Sequence, residues 1–345
     1  MDPGRPAARR DDDVIARCRS LLEPALREAV SELQPWGARM ASFALGWPDV
    51  GDGADPVTPG NSGNGGKILR PAIAMLSAEA VGGTAEQALP GAVAVELVHA
   101  FSLVHDDIID RDERRRHRDA LWKAYGVGPA VLAGDSLLAL AVSRLSGRGE
   151  AMRHLSAALT ELVRGQTADM TFETRPWTGP EEVTVAEYTR MASGKTGSLL
   201  AAAAAVGTAL GGAPALSDRM WEMGLDLGIA FQIADDVLGI WGDPRVTGKP
   251  VHSDLRRDKK TLPVLAALAA GGPAAEELAT VLAKGAGDEE TARRAARLVE
   301  EAGGRALAEE VAAGHLSAAL AVMDEHLPRA AALRALCVSV TNRSH

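Results

Sequence analysis

Nowhere along its 345 residues does the chain alternate β-branched and polar residues for more than about six positions, the shortest run from which a half-buried strand can be read. Its apolar share is 46%, mostly Ala, Leu and Val, against 3% aromatic, and Ala and Leu are strong helix formers. Thr84 with Gln87 and Thr184 with Glu187 fit the capping-box spacing, each ahead of a long apolar-periodic stretch. The expected fold class is all-α, with about ten or more helices of ordinary length. Residues 1–13 are expected to form a mobile N-terminal tail and residues 14–345 a single all-α domain, interrupted by a flexible Gly-, Pro- and Asn-rich loop at 51–66.

The net charge of −9 argues against broad binding to nucleic acid or anionic membranes, so an anionic ligand must be held by a local basic patch. Cys18 and Cys337 form no CxxC or Cys/His ligand pattern, and the N-terminus has no apolar stretch typical of a secretory signal, so a cytoplasmic location is expected. Residues 199–216 carry no charge, but Ala and Gly contribute little transfer energy and Pro214 ends the run. They are expected to form a closely packed core helix, and no transmembrane segment is expected. The run before Ile68 only superficially resembles a phosphate-binding P-loop: its Lys comes one residue late, and no Ser or Thr follows. No HExxH is present.

The segment HAFSLVHDDIID ends in Asp106, Asp107 and Asp110. Positions 106 and 110 are four apart, so both carboxylates project from one helix face. Near a helix C-terminus they meet the negative end of the dipole, and the arrangement is costly unless solvent or a cation compensates. Hard cations, magnesium above all, suit such oxygen-only sites. Alone, the motif also fits an exposed acidic helix end. A second cluster, FQIADDVLGIWGD, brings Gln232, Asp235, Asp236 and Asp243 into apolar sequence. Basic residues follow each cluster: Arg114, Arg115 and Arg116 after the first; Lys249, Arg256, Arg257, Lys259 and Lys260 after the second. Upstream, GGKILRP sets Lys67 and Arg70 three apart. Carboxylates that bridge metal, beside Arg and Lys that donate charge-assisted hydrogen bonds, suit a polyanion such as diphosphate.

With these motifs in this order, joined by GQTADM and GKTGSLL, the chain resembles the trans-isoprenyl diphosphate synthases, the polyprenyl synthetase family. The resemblance implies a helical bundle around a deep cavity, a homodimer, and condensation of isopentenyl diphosphate with an allylic diphosphate. It also implies that Asp106, Asp110 and Asp235 bind Mg2+, supported by Asp107, Asp236 and Asp243. Lys67, Arg70, His99 and Arg116 would hold isopentenyl diphosphate. Arg115, Lys195 and Lys249 would bind the allylic substrate, Lys259 is a further substrate-binding residue, and Thr196, Gln232, Gln166 and Asp169 would line the reaction centre. Two departures stand out: Ile68 replaces a frequent Arg, and Gly239 replaces a frequent Asp of the second motif. Phe101, five residues before Asp106 and about 7.5 Å along the helix, would close the tunnel for the growing chain. With Ser102 beside it, this favours a geranylgeranyl product, then farnesyl. A class I terpene cyclase and a non-catalytic partner subunit are the alternatives. Cyclases usually lack the Lys67/Arg70 clamp, and an inactive subunit would be expected to have lost an aspartate motif.

Overall fold

The computed structural model describes residues 5–47, 68–115, 118–244 and 250–341, with side chains from residue 13 onward. The loop at 51–66 lies outside them, as do Lys67, Arg116 and Lys249. The helices are α1 (Arg5–Ser31), α2 (Pro35–Ala44), α3 (Leu69–Ala80), α4 (Ala85–Ile109), α5 (Leu121–Tyr125), α6 (Val127–Arg144), α7 (Gly149–Glu173), α8 (Val185–Ala192), α9 (Ser198–Leu210), α10 (Ser217–Trp241), α11 (Ser253–Arg256), α12 (Leu262–Ala270), α13 (Gly272–Leu282), α14 (Glu289–Glu301), α15 (Gly304–His326) and α16 (Ala331–Thr341). The described strands are a two-residue antiparallel pair, β1 (Arg114–Arg115) and β2 (Arg118–Asp119). The fold is all-α, as expected. Both capping boxes form: Thr84 caps α4 with Gln87, and Thr184 caps α8 with Glu187.

At the N-terminus, α1 begins at Arg5, inside the stretch expected to be a tail. Pro6 falls in the first turn, where its missing N–H costs nothing, and the Ala and Arg around it favour helix.

Contacts divide the chain into two compact units. Unit 1 comprises residues 1–155, 202–217 and 329–333; unit 2 comprises 156–201, 218–328 and 334–345. No linker in the sequence marks this division, because two of its borders fall inside α7 and α9.

In unit 1, α4 packs between α3 and α6. Ten of the twelve α3 residues are buried, so this helix is apolar nearly all round, as a core helix must be. Small residues let its neighbours come close. A Cβ added at Gly207 would lie 2.0 Å from the Ala74 carbonyl oxygen, which bars any side chain there. This bears out the reading of the uncharged 199–216 segment as a closely packed core helix: Leu199 through Val206 are at most 2% exposed, and α9 is only 13 residues long. By length and composition alone, three other helices (α4, α6 and α15) are long and apolar enough to cross a membrane.

In unit 2, the buried faces of α10, α11, α12, α13 and α14 form one core cluster around Ile240, Leu255, Val264, Leu278 and Val299. A second cluster joins α7, α8, α10, α12 and α15 around Phe172, Tyr188, Ile233 and Leu262. Arg175 closes the connection from α7 to α8. Its Nε donates to the Glu181 carbonyl at 2.8 Å, and its Nη1 donates to Glu187 Oε1 at 2.8 Å. That guanidinium, with the Thr184 donors, pulls the Glu187 pKa down to about 2.

Candidate active site

In unit 1, α4 ends at the first aspartate motif, with Asp110 as its C-cap. The three carboxylates differ in burial: Asp106 is half-buried, Asp110 is exposed, and Asp107 is only 4% exposed. Asp107 turns inward onto β1, where Arg115 Nε donates to its two oxygens at 2.8 and 3.0 Å and Nη2 lies 2.6 Å from Oδ1. Burial raises the Asp107 pKa although Arg115 opposes it. A carboxylate held bidentately by a guanidinium is a poor candidate for metal ligation. Two turns earlier on the same helix, His99 Nε2 lies 3.4 Å from Arg70 Nη1 on α3, so these two sequence-predicted residues come together. Ser102 Oγ donates to the His99 carbonyl at 2.9 Å. Phe101 stacks edge-on against His105 with centroids 4.7 Å apart, and His105 fills the notch left by Gly134 on α6.

In unit 2, α8 runs into a π-helical turn, Ser193–Gly197, before α9. Such turns recur at functional sites because they re-aim the side chains they carry. Here those side chains include Lys195 and Thr196. Glycines make room for the turn: a Cβ at Gly165 would lie 2.1 Å from the Lys195 nitrogen, and one at Gly228 would lie 2.2 Å from the Gly197 Cα. Lys195 Nζ pairs with Asp169 on α7. Thr196 Oγ1 donates to Gln232 Oε1 at 2.6 Å, and Gln232 Nε2 donates to Asp236 Oδ1 at 3.0 Å. Gln166 Nε2 is buried and has no hydrogen-bond partner among the described residues.

The second motif repeats the division seen in the first. Asp235 is exposed and Asp243 half-buried, whereas Asp236 is 5% exposed. Asp236 Oδ2 accepts from the Tyr188 hydroxyl at 2.5 Å and from the Leu262 backbone N–H at 3.1 Å, while Oδ1 accepts from Gln232. Burial raises the Asp236 pKa to about 7 against these three donors. Within the expected metal set, the Asp107 and Asp236 oxygens accept hydrogen bonds from protein donors.

The departure at Gly239 also has a cause. A Cβ there would lie 2.1 Å from Asp254 Oδ2, so the buried Asp254 carboxylate occupies the space an aspartate side chain would need. The sequence reading did not pick out Tyr188 or Asp254. Tyr188 lies in no charged run, Asp254 stands at the head of the basic stretch that follows the second motif, and tertiary contact joins both to that motif.

A family model described as polyprenyl synthetase matches residues 57–299. The (2E,6E)-farnesyl diphosphate synthase of Mycobacterium bovis is 44% identical over 320 residues, covering 90% of this chain and 86% of the relative. The geranylgeranyl diphosphate synthase of Mycobacterium tuberculosis is 41% identical over 320 residues, covering 90% and 88%. A crystal structure of polyprenyl synthetase from Streptomyces coelicolor A3(2) superposes with a TM-score of 0.87 at 43% identity, covering 95% of this chain and 99% of that one. The motif order, the two acidic motifs and these matches agree, and the chain belongs to the polyprenyl synthetase family.

Proposed function

We propose that this protein is a magnesium-dependent trans-prenyltransferase. It joins an allylic diphosphate to isopentenyl diphosphate, giving a longer trans-prenyl diphosphate, diphosphate and a proton. One observation carries this reading: in both motifs the second aspartate is buried against protein donors, while the first keeps solvent-accessible surface, Asp106 in the last turn of α4 and Asp235 within α10. Asp106 and Asp110 offer only oxygen donors at the negative end of the α4 dipole, a donor set suited to a hard dication. Asp235 and Asp243 in unit 2 offer oxygen donors of the same kind. Bound magnesium would supply positive charge to offset that developing on the departing diphosphate.

The protein's own groups do the rest. Arg70 and His99, with Lys67 and Arg116, hold the diphosphate of isopentenyl diphosphate. Arg115, Lys195, Lys249 and Lys259 hold the allylic diphosphate and stabilise it as the allylic C–O bond breaks. The Thr196 proton is committed to Gln232 Oε1, so the hydroxyl offers its lone pairs to the allylic cation. Gln166 Nε2, without a hydrogen-bond partner among the described residues, is available to a substrate oxygen. The double bond of isopentenyl diphosphate attacks the cation, and the proton then lost passes to the released diphosphate. Incubation with magnesium and both diphosphates tests the reading: diphosphate release with a longer prenyl product supports it. A hydrocarbon formed from the allylic diphosphate alone would favour a cyclase, and no turnover would leave a non-catalytic subunit.

Geranylgeranyl diphosphate is the proposed product, with farnesyl diphosphate next. Phe101, backed by His105, would form the tunnel floor beside Ser102. Phe101→Ala is expected to lengthen the product by at least one isoprene unit, read by chromatography of the dephosphorylated alcohols. An unchanged product distribution would remove Phe101 from the floor.

The protein is further proposed to be a cytoplasmic homodimer with no membrane span. Val127, Val131, Leu132 and Val142 on α6 are all exposed, Leu132 at 57%, an apolar face suited to a second copy. Leu132→Glu is expected to shift sedimentation from dimer toward monomer. A wild-type protein that sediments as a monomer at micromolar concentration would overturn the proposal.

A further inference from the structure

Unit 2 contains a buried cation that the proposed chemistry does not use. Lys260 is 9% exposed, and burial lowers its pKa. Its Nζ sits 3.8 Å from the centroid of the Trp177 ring, well within cation–π range. Among the described residues no carboxylate lies within ion-pair distance of it; Asp258 and Glu173 act on it only through longer-range attraction. Filling the same slot with Met or Leu would avoid the desolvation cost of the ammonium, so packing alone does not account for a lysine here.

The surroundings of this stack suggest what it holds. Trp177 lies on the α7–α8 connection that Arg175 closes, and it packs against the cluster around Ile240 and Leu255. Lys260 lies on the irregular segment between α11 and α12. Asp258 there has φ +53°, in the left-handed region, and the Lys259 N–H donates to the Asp254 carbonyl at 3.0 Å. Lys259 is exposed where Lys260 is buried, and two residues later the Leu262 N–H donates to Asp236. One short stretch thus carries an outward cation, an inward cation and a donor to the second motif.

We infer that the Lys260–Trp177 stack is a positioning device for the diphosphate-binding end of unit 2: seating Lys260 inward fixes Lys259 outward and holds the Leu262 N–H on Asp236. Lys260 acts through these neighbours and is a positioning residue rather than a catalytic one. The inference builds on the prenyl-transfer reading for its ligand class, a diphosphate with magnesium.

The test compares Lys260→Met, Lys260→Arg, Trp177→Leu, Trp177→Phe and the Lys260→Met/Trp177→Leu double variant. Affinity for inorganic diphosphate with magnesium is measured by calorimetry, with KM and kcat measured for each substrate. Lys260→Met and Trp177→Leu are each expected to weaken diphosphate binding about tenfold and to raise the KM for the allylic substrate by a similar factor. The change in kcat should stay within about threefold, and the KM for isopentenyl diphosphate should be unchanged. Lys260→Arg and Trp177→Phe should recover most of the loss, and the double variant should be no worse than either single, because both break one contact. Unchanged diphosphate binding in both single variants would overturn the inference. So would additive losses, or an equal fall in activity toward both substrates with a lowered Tm, which marks a purely structural role. If the wild type binds diphosphate, the variants weaken it as described and no prenyl transfer occurs, the positioning role stands and the prenyl-transfer reading falls. If the wild type binds no diphosphate, both fall.

Discussion

Asp106→Asn and Asp235→Asn are each expected to lower kcat by about 10²–10³-fold, the loss typical when one preorganised electrostatic element is removed from a charged transition state. Asparagine keeps the shape and one oxygen of aspartate but loses its charge. Asp235 is exposed and Asp106 half-buried, so the folded protein should tolerate the change, with thermal melting close to wild type. The magnesium concentration for half-maximal rate should rise in both variants. If the two residues serve one diphosphate, the double variant should lose little more than either single, because the second charge has nothing left to act on. Losses that multiply would mean that the motifs act at separate sites, and the proposed mechanism would fail. Asp107→Asn is the informative contrast. Its carboxylate is bound to Arg115, so its loss should appear in allylic-substrate KM and in stability rather than in magnesium dependence.

The helices were legible from sequence because local physics determines them. The capping residues Thr84 and Thr184 and the Ala/Leu periodicity need no long-range information, and both caps form as expected. The acidic motifs were legible as well, and the resemblance set Asp106 and Asp235 apart from the residues that follow them, but the partners of Asp107 and Asp236 were not legible. Asp106 and Asp107 are adjacent and chemically identical in the sequence. A helix turns about 100° per residue, so one faces outward while the other meets Arg115 from a strand eight residues later. For Asp236 the partners lie 48 residues upstream at Tyr188 and 26 residues downstream at Leu262, beyond what single-sequence spacing can encode. The π-helical turn beneath Lys195 was missed for a similar reason: it depends on Gly165 and Gly228 from other helices, each of which looks like an ordinary helix glycine. The N-terminal stretch was read as a tail, yet its Ala, Arg and first-turn Pro are compatible with helix.

The largest expected effect on stability follows from the buried end of the second motif. Asp236→Ala removes the acceptor for the Tyr188 hydroxyl, the Gln232 amide and the Leu262 N–H together. Each buried donor left without a partner costs about 1–3 kcal/mol, so a loss of about 3 kcal/mol or more is expected, against a total stability of about 5–15 kcal/mol for a typical domain. Tyr188→Phe separates this cost from cavity formation. It keeps the ring in the cluster of Phe172, Ile233 and Leu262 and removes one donor, leaving two on Asp236. Its cost should be about 1–2 kcal/mol, clearly smaller than that of Asp236→Ala. Urea unfolding followed by circular dichroism reads both values, and an unchanged m-value would attribute the difference to the native state. The network continues from Asp236 through Gln232 to Thr196, so Tyr188→Phe should also lower kcat modestly while leaving the isopentenyl diphosphate KM unchanged. Equal stability losses in the two variants would show that the tyrosine hydroxyl alone carries the contact. A neutral Asp236→Ala would show that this carboxylate is not held by its three donors.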